Sequence, residues 1–325
     1  MLIRLPLFFT LIFILLCISL GYLQLGSANL YSLFQQNQND MIKIIFYEVR
    51  LPRLLLAILV GAALGATGAM MQGYFRNPLA SPDLLGISNC AALGAVVMFY
   101  FGWAHLAWYM LPLGGFIGAT IGVLLIFVLS FDNRYVLNML LIGVAINAIM
   151  ASLISLVLNF SSNPYAMSEI VNWLLGSLTN RSMQDVWMVM PFVITGLIIC
   201  FSLGRYLQAL SLGEETAQTL GFNPKRSRAK LVLALALCMG PVVAATGSIG
   251  FVGLVVPHII RPWVKNDSRQ LLWSSALAGA ILVVLADALV QLISTSQELK
   301  IGVITALLGG PFFLYCIYTL RSGES

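Results

Sequence analysis

An all-α polytopic membrane protein with about ten transmembrane helices is the fold class this sequence predicts, and three observations predict it. Hydrophobic residues make up 60% of the 325 residues and charged residues only 9%, with a mean hydropathy of +0.94. A soluble domain carries about 25% charged residues. Apolar segments near membrane-crossing length, about 20 residues each, recur along the whole chain. The basic residues between them alternate in density as membrane sidedness requires.

The expected spans are 5–25, 53–73, 84–101, 106–129, 136–160, 186–204, 230–246, 249–263, 271–293 and 302–320, forming one transmembrane domain over 1–325. The third and eighth are short, and Pro257 and His258 soften the boundary of the eighth. Arg4 and the Gly26–Ala28 stretch give the first span the look of a signal peptide. Its apolar run exceeds the usual core of about 7–15 residues, so a retained span is expected.

With the N-terminus in the cytoplasm, ten spans return the C-terminus there. The inner side then holds Arg4, Arg76, Arg134, Arg205, Lys225, Arg226, Arg228, Lys230, Arg261, Lys265, Arg269 and Arg321. The outer side holds Lys43, Arg50, Arg53, Arg181 and Lys300. Twelve against five, out of the 17 Lys and Arg residues, is a positive-inside bias. Residues 205–229 become the largest cytoplasmic loop.

Several function classes drop out. No P-loop, zinc motif or dinucleotide fingerprint is present. The net charge of +5 follows membrane sidedness and gives no reason to expect nucleic acid. Cys17, Cys90, Cys200, Cys238 and Cys316 lie in apolar segments without a C-x-x-C pair, as small buried hydrophobes. His258 supplies one ligand where zinc takes four, so no metal site is expected. Asp287 lies inside a span; an ion-coupling role and a hydrogen bond fixing helix packing are both open to it, and the second is favoured.

Small residues mark helix contacts: Gly61 and Gly65 in the second span, and Gly114, Gly118 and Gly122 in the fourth. In the fifth, Asn147, Ser152, Ser155 and Asn159 put mild polarity along one side, either lining a wet pathway or bonding other helices. The stretch "ATGSIGFVGLVVPHII" predicts an interrupted or sharply turned helix, which a membrane tolerates only inside protein or along a cavity. Segment 161–185 is too short to span and is expected as a partial outer helix with Trp173 near the interface.

The charged stretch "ALSLGEETAQTLGFNPKRSRAK" at 209–230 stands apart from the apolar chain. Glu214 and Glu215 suit a helix first turn, where negative charge meets the N-terminal dipole. Ala217 and Leu220 are expected on one face. Gly221 suits the position after the helix, and Pro224 stops simple continuation. Two turns are too few for a stable helix in water, so this one needs something to pack on.

Within this stretch, "GEETAQTLG" resembles the coupling loop of ABC-importer permeases, with Gly213, Glu214, Ala217, Leu220 and Gly221 on the core pattern. The stretches "EVRLPRLLLAILVGAALGATGAMMQ", "MQGYFRNPLASPDLLGIS", "GSIGFVGLVVPHIIR", "LAD" at 285–287 and "IGVITALLGGPFF" look like signatures of the FecCD/BtuC-type permease family of ABC importers, which take up iron–siderophores, heme and vitamin B12. The resemblance runs in order over nearly the whole chain.

It implies a type II ABC importer permease fold with an inverted internal repeat. The permease would form a homodimer, or pair with a homologous permease, in a bacterial cytoplasmic (inner) membrane. It implies two cytoplasmic ATPase subunits that bind the ATP, no cofactor in this chain, and a periplasmic or extracellular substrate-binding protein. The chain itself would be no enzyme. Gly213, Glu214, Glu215, Ala217, Leu220 and Gly221 would couple to the ATPase. Arg76, Asn77, Pro78 and Pro82 would form a rigid inner turn near it. Asn147, Ser152, Ser155 and Asn159 would line the pathway.

Arg50 and Arg53 match family arginines that meet acidic residues of the binding protein. Some members carry a further arginine where this chain has Gln291, and "ELPIG" where it has "ELKIG". Lys300 is therefore expected to restore part of the missing charge. The expected cargo is an iron–siderophore or related large metal chelate, with vitamin B12 or heme as alternatives. An ion-coupled secondary transporter, resting on Asp287 and the broken seventh and eighth spans, is the alternative of another class.

Overall fold

The computed structural model describes residues 44–107, 109–130, 136–160, 164–265, 267–293 and 299–322. The expected span at 5–25 lies outside them. The described chain is helical throughout, without strands. A π-helical turn, Ile45–Arg50, leads into α1 (Leu51–Phe75). Then come α2 (Ile87–Tyr100), α3 (Met110–Ser130), α4 (Val136–Phe160) and the short α5 (Pro164–Leu174). The chain continues through α6 (Met183–Ser202), α7 (Gly204–Ser211), α8 (Glu214–Thr219) and α9 (Pro224–Thr246). It ends with α10 (Val252–Ile260), α11 (Ser268–Ile293) and α12 (Ile301–Ser322). Among the described residues six helical stretches are long and apolar enough to cross a membrane, and two shorter apolar helices join them. The protein is a multi-pass membrane protein.

Close backbone approach between α1 and α11 builds the centre of the bundle. A Cβ on Gly61 would overlap the Gly279 carbonyl oxygen, one on Gly65 the Ser275 carbonyl oxygen, and one on Gly279 the Gly61 carbonyl oxygen. Lipid tails are as apolar as leucine, so helices associate through close packing, and glycine permits it. The α3 stripe works likewise against α2. Gly114 and Gly118 face Gly94 and Cys90, and Gly122 faces the Cys90 side chain.

These pairings recur. The α1–α11 contact is matched by α9 on α3, α2–α3 by α10–α11, α1–α10 by α9–α2, and α2–α4 by α10–α12. Each match lies eight helices further along the chain, so α1–α4 and α9–α12 pack as two copies of one arrangement, as internal repeats do in other transporters.

Two broken connections enter the bundle. After α1, Arg76 adopts a left-handed conformation (φ 49°) and a 3-10 turn spans Pro82–Leu85. After α9, residues 247–251 are not helical, and Phe251 has φ +68°. The span expected at 249–263 is reduced to α10, nine residues long. At 1.5 Å per residue that is about 14 Å, roughly half a bilayer core of about 30 Å. The break is buried in protein. A Cβ on Gly247 would overlap the Trp173 carbonyl oxygen, and the Ser177 N–H donates to the Thr246 carbonyl at 2.7 Å. Phe251 lies against Gly309 of α12. Trp173 is buried in this junction at 7% exposure. In the turn ahead of α6, burial pushes the Arg181 guanidinium below the ordinary arginine value, with Asp185 opposing.

Candidate functional site

Two ends of the bundle carry the candidate residues. At the end where α7, α8 and the start of α9 meet, the stretch expected as the loop 205–229 is mostly helical. α7 continues from α6 across a kink at Leu203, α8 follows Gly213, and Pro224 opens α9 rather than merely stopping a helix. Proline suits the first helical turn because its missing N–H would have no partner there. Asn223 caps that start, its side chain accepting the Arg226 N–H at 3.2 Å. Lys225, Arg226, Arg228 and Lys230 therefore lie on the first turns of α9.

Gly213 enters α8 with φ +118°, and Gly221 leaves with φ +88°. Only glycine adopts such values without strain. Glu214 and Glu215 occupy the first turn. Ala217 is the buried anchor, 1% exposed, its N–H donating to the Gly213 carbonyl at 3.0 Å. Leu220 was expected to share its face. It is instead 61% exposed, because α8 ends at Thr219 and Leu220 caps it with non-helical angles (φ −76°, ψ 5°). Leu212, at the other end of α8, is 69% exposed. A six-residue helix thus sits on the bundle through one alanine and turns two leucines outward.

The turn after α1 is held by its own polar groups. The Arg76 and Asn77 N–H groups both donate to the Gln72 carbonyl. The Asn77 side chain accepts the Leu79 N–H at 2.9 Å. Pro78 follows, and Pro82 starts the 3-10 turn, where Ser88 donates to Asp83 at 2.7 Å.

The polar stripe on α4 divides. Asn147 accepts a hydrogen bond from Asn89 of α2 at 2.7 Å, and Gly86 packs on its backbone, so it joins two helices. Ser152, Ser155 and Asn159 are exposed, with the two serines donating to the Ala148 and Ala151 carbonyls. α4 is the least enclosed of the membrane-length helices. Between α2, α3 and α4 lies an apolar cavity of about 310 Å³, lined by Cys90, Gly94, Gly114, Gly118 and Met150 among others.

At the opposite end, Arg53, expected at the docking face, is engaged within the chain. Its Nε and Nη2 donate to the Asp287 carboxylate at 2.8–2.9 Å, tying α1 to α11. Gln291, one turn on, donates to the same carboxylate at 2.8 Å. Asp287 is 4% exposed. A carboxylate held by a guanidinium and an amide is spoken for, which leaves little capacity for carrying an ion. Nothing local in the sequence signals this pair, whose members stand 234 residues apart. Arg50 and Lys300 lie partly exposed. Arg53→Met alone is expected to destabilise the purified subunit by about 3–5 kcal/mol, because it strands a buried charge. Arg53→Met with Asp287→Leu is expected to recover most of that. Thermal unfolding in detergent measures both; equal loss in the single and double variants would remove the pair's structural role.

Sequence reasoning also missed Gln72, Tyr74 and their partners. Gln72 donates to the Leu254 carbonyl of α10 at 3.1 Å and accepts from Arg261 at 2.8 Å. Arg228 donates its Nε–H to the Tyr74 hydroxyl at 3.1 Å. Among the described residues no group of three His, Cys, Asp or Glu could hold a metal ion. The His258 ring packs edge-on against Phe312.

Repeated helical halves, half-length α10 and a short helix perched on one end make up the architecture of a transport permease. The chain belongs to the FecCD transport family, whose model matches residues 9–319. It is 39% identical over 321 residues to the hemin transport system permease protein HmuU of Yersinia pestis, covering 95% of this chain and 96% of that one. It is 39% identical over 280 residues to the Fe(3+) dicitrate transport system permease protein FecD of Escherichia coli, covering 85% and 86%. It is 37% identical over 281 residues to the vitamin B12 import system permease protein BtuC of Citrobacter koseri, covering 86% and 84%. A solved metal-chelate type ABC transporter in an inward-facing conformation superposes with a TM-score of 0.85 at 31% identity, covering 94% of this chain and 97% of that one.

Proposed function

We propose that this chain is the membrane permease of an ATP-driven importer that carries an iron–siderophore or related metal chelate into the cytoplasm by alternating access. The observation that carries the reading is α8. It is too short to be stable alone, rests on Ala217, and offers Leu212 and Leu220 to a partner. That partner is a cytoplasmic ATPase, which binds and hydrolyses the ATP. Two permease copies, or this chain and a homologue, face each other with two such ATPases beneath.

The α8 end is cytoplasmic in this reading, as are both termini, and the membrane is the bacterial inner membrane. Arg50 and Lys300, at the outer end, meet acids on a substrate-binding protein. Arg53 stays in its internal pair. Ser152, Ser155 and Asn159 on the open face of α4 line the route, while Asn147 fixes α4 to α2. The relatives named for hemin, ferric dicitrate and vitamin B12 support an iron or metal chelate as cargo.

Vesicles holding the complete complex, offered ferric dicitrate, an iron–hydroxamate, hemin and cyanocobalamin, test the cargo class. Uptake of an iron chelate is expected to exceed that of cyanocobalamin by about tenfold, a difference of about 1.4 kcal/mol. Preferential uptake of cyanocobalamin would overturn the iron assignment.

A further inference from the structure

The end of α1 joins the two moving parts that the proposed cycle requires. Tyr74 is buried at 2% exposure, one residue before the end of α1. Its hydroxyl accepts the Arg228 Nε–H, and Arg228 is itself only 9% exposed. Arg228 lies in the second turn of α9, directly after the Gly221–Asn223 link from α8. The same pocket is closed by α7, where Tyr206 is buried and its ring lies 5.8 Å from that of Phe222. Phe222 donates its N–H to the Ala217 carbonyl of α8 at 3.1 Å. α8 is thus tied through Phe222 and Asn223 to the start of the helix that carries Arg228.

On the other side of Tyr74, two residues back along α1, Gln72 grips α10 by both ends, bonding the Leu254 carbonyl and the Arg261 guanidinium. α10 is the half-length helix beside the break at 247–251. The connection runs partly through bonds and partly along the chain: Phe222 bonds α8 and leads through Asn223 into α9, Arg228 of α9 bonds Tyr74, and Gln72 of the same α1 bonds α10. A bond from a charged donor to a buried hydroxyl is directional and outweighs a neutral one. Removing it leaves the ring packing of Tyr74 intact.

We propose that Tyr74 is a positioning residue for energy coupling: it accepts Arg228 and thereby makes α1 follow α8, with Gln72 passing the movement to α10. The inference rests on the proposed function, since it needs an ATPase acting on α8. Other residues along this connection, Arg228 among them, make additional contacts that hold the fold; the Tyr74 hydroxyl is the one atom whose removal tests the linkage itself.

The test uses the full complex in vesicles and measures ATP hydrolysis and uptake together, with ferric dicitrate and hemin as probes. In Tyr74→Phe, molecules taken up per ATP are expected to fall by about tenfold, while hydrolysis and complex yield stay within about twofold. Arg228→Lys keeps the charge but loses the Nε geometry, and is expected to lower the same ratio. The double variant is expected to fall no further than the single ones, because both break one link. An unchanged ratio in Tyr74→Phe, a parallel loss of hydrolysis and uptake, or additive effects in the double variant would each overturn the inference. Absence of ATP-driven uptake in the wild-type complex would instead remove the reading on which it rests.

Discussion

Replacing Gly65 with leucine is expected to abolish recovery of the folded subunit. The reason lies in how α1 meets α11. A Cβ at Gly65 would overlap the Ser275 carbonyl oxygen, and the neighbouring Gly61 faces Gly279 just as closely. The obstacle is backbone, which cannot rotate away as a side chain would. Overpacking a core typically costs about 1–3 kcal/mol when side chains can adjust. Here the helices must separate, and the Arg53–Asp287 pair across the same interface is pulled apart with them. The loss should exceed that range. Gly310→Ala is the internal control: a Cβ there meets nothing within 4 Å among the described residues. An alanine in a helix is favoured over glycine by about 1 kcal/mol, so stability should hold or rise. Yield and thermal unfolding of both variants check the contrast. Normal folding of Gly65→Leu would refute the packing described between α1 and α11.

Replacing Ala217 with proline is expected to uncouple uptake from ATP hydrolysis. Proline removes the N–H that reaches the Gly213 carbonyl, and its ring crowds that same carbonyl. The cost, about 3 kcal/mol or more, falls on a helix of six residues with few other supports. α7 and α9 flank it with their own packing, so the bundle should insert and purify normally. Uptake is expected to drop by at least about tenfold with hydrolysis largely kept. Leu220→Asp probes the same contact without breaking the helix, placing a charge on a side chain that is 61% exposed; it should weaken association with the ATPase. Normal uptake by Ala217→Pro would sink the coupling role of α8.

Much of the helical architecture was legible because each helix announces itself locally. Glycine spacing of four marks a contact stripe, and the stripes at 61–65 and 114–122 do meet other helices. What spacing cannot say is which helix lies opposite. Gly279 and Cys90 emerged only from the packing. The break after α9 was readable from Gly247, Gly250 and Pro257, yet the left-handed angles of Phe251 carry no sequence mark.

The candidate site was legible in outline. Caps and acids locate α8 to within a residue, but helical periodicity does not fix its faces at the end, because Leu220 lies one residue past the last helical position. The resemblance places Arg53 at the docking face and says nothing of its bond to Asp287 within the bundle. Long-range pairs such as Arg53 with Asp287, and Arg228 with Tyr74, depend on which helices the fold brings together. Single-helix patterns are silent about them. Trp173 shows the same limit: its contact with Gly247 has no mark in the sequence around it.

The most direct measurement of the central claim is uptake into sealed vesicles containing this permease, its ATPase and its binding protein, with the energy source varied. Ferric chelate or hemin is expected to accumulate only with ATP on the α8 side of the membrane, and ionophores collapsing proton and sodium gradients are expected to leave the rate unchanged. Accumulation that persists without ATP and vanishes with the ionophores would contradict it.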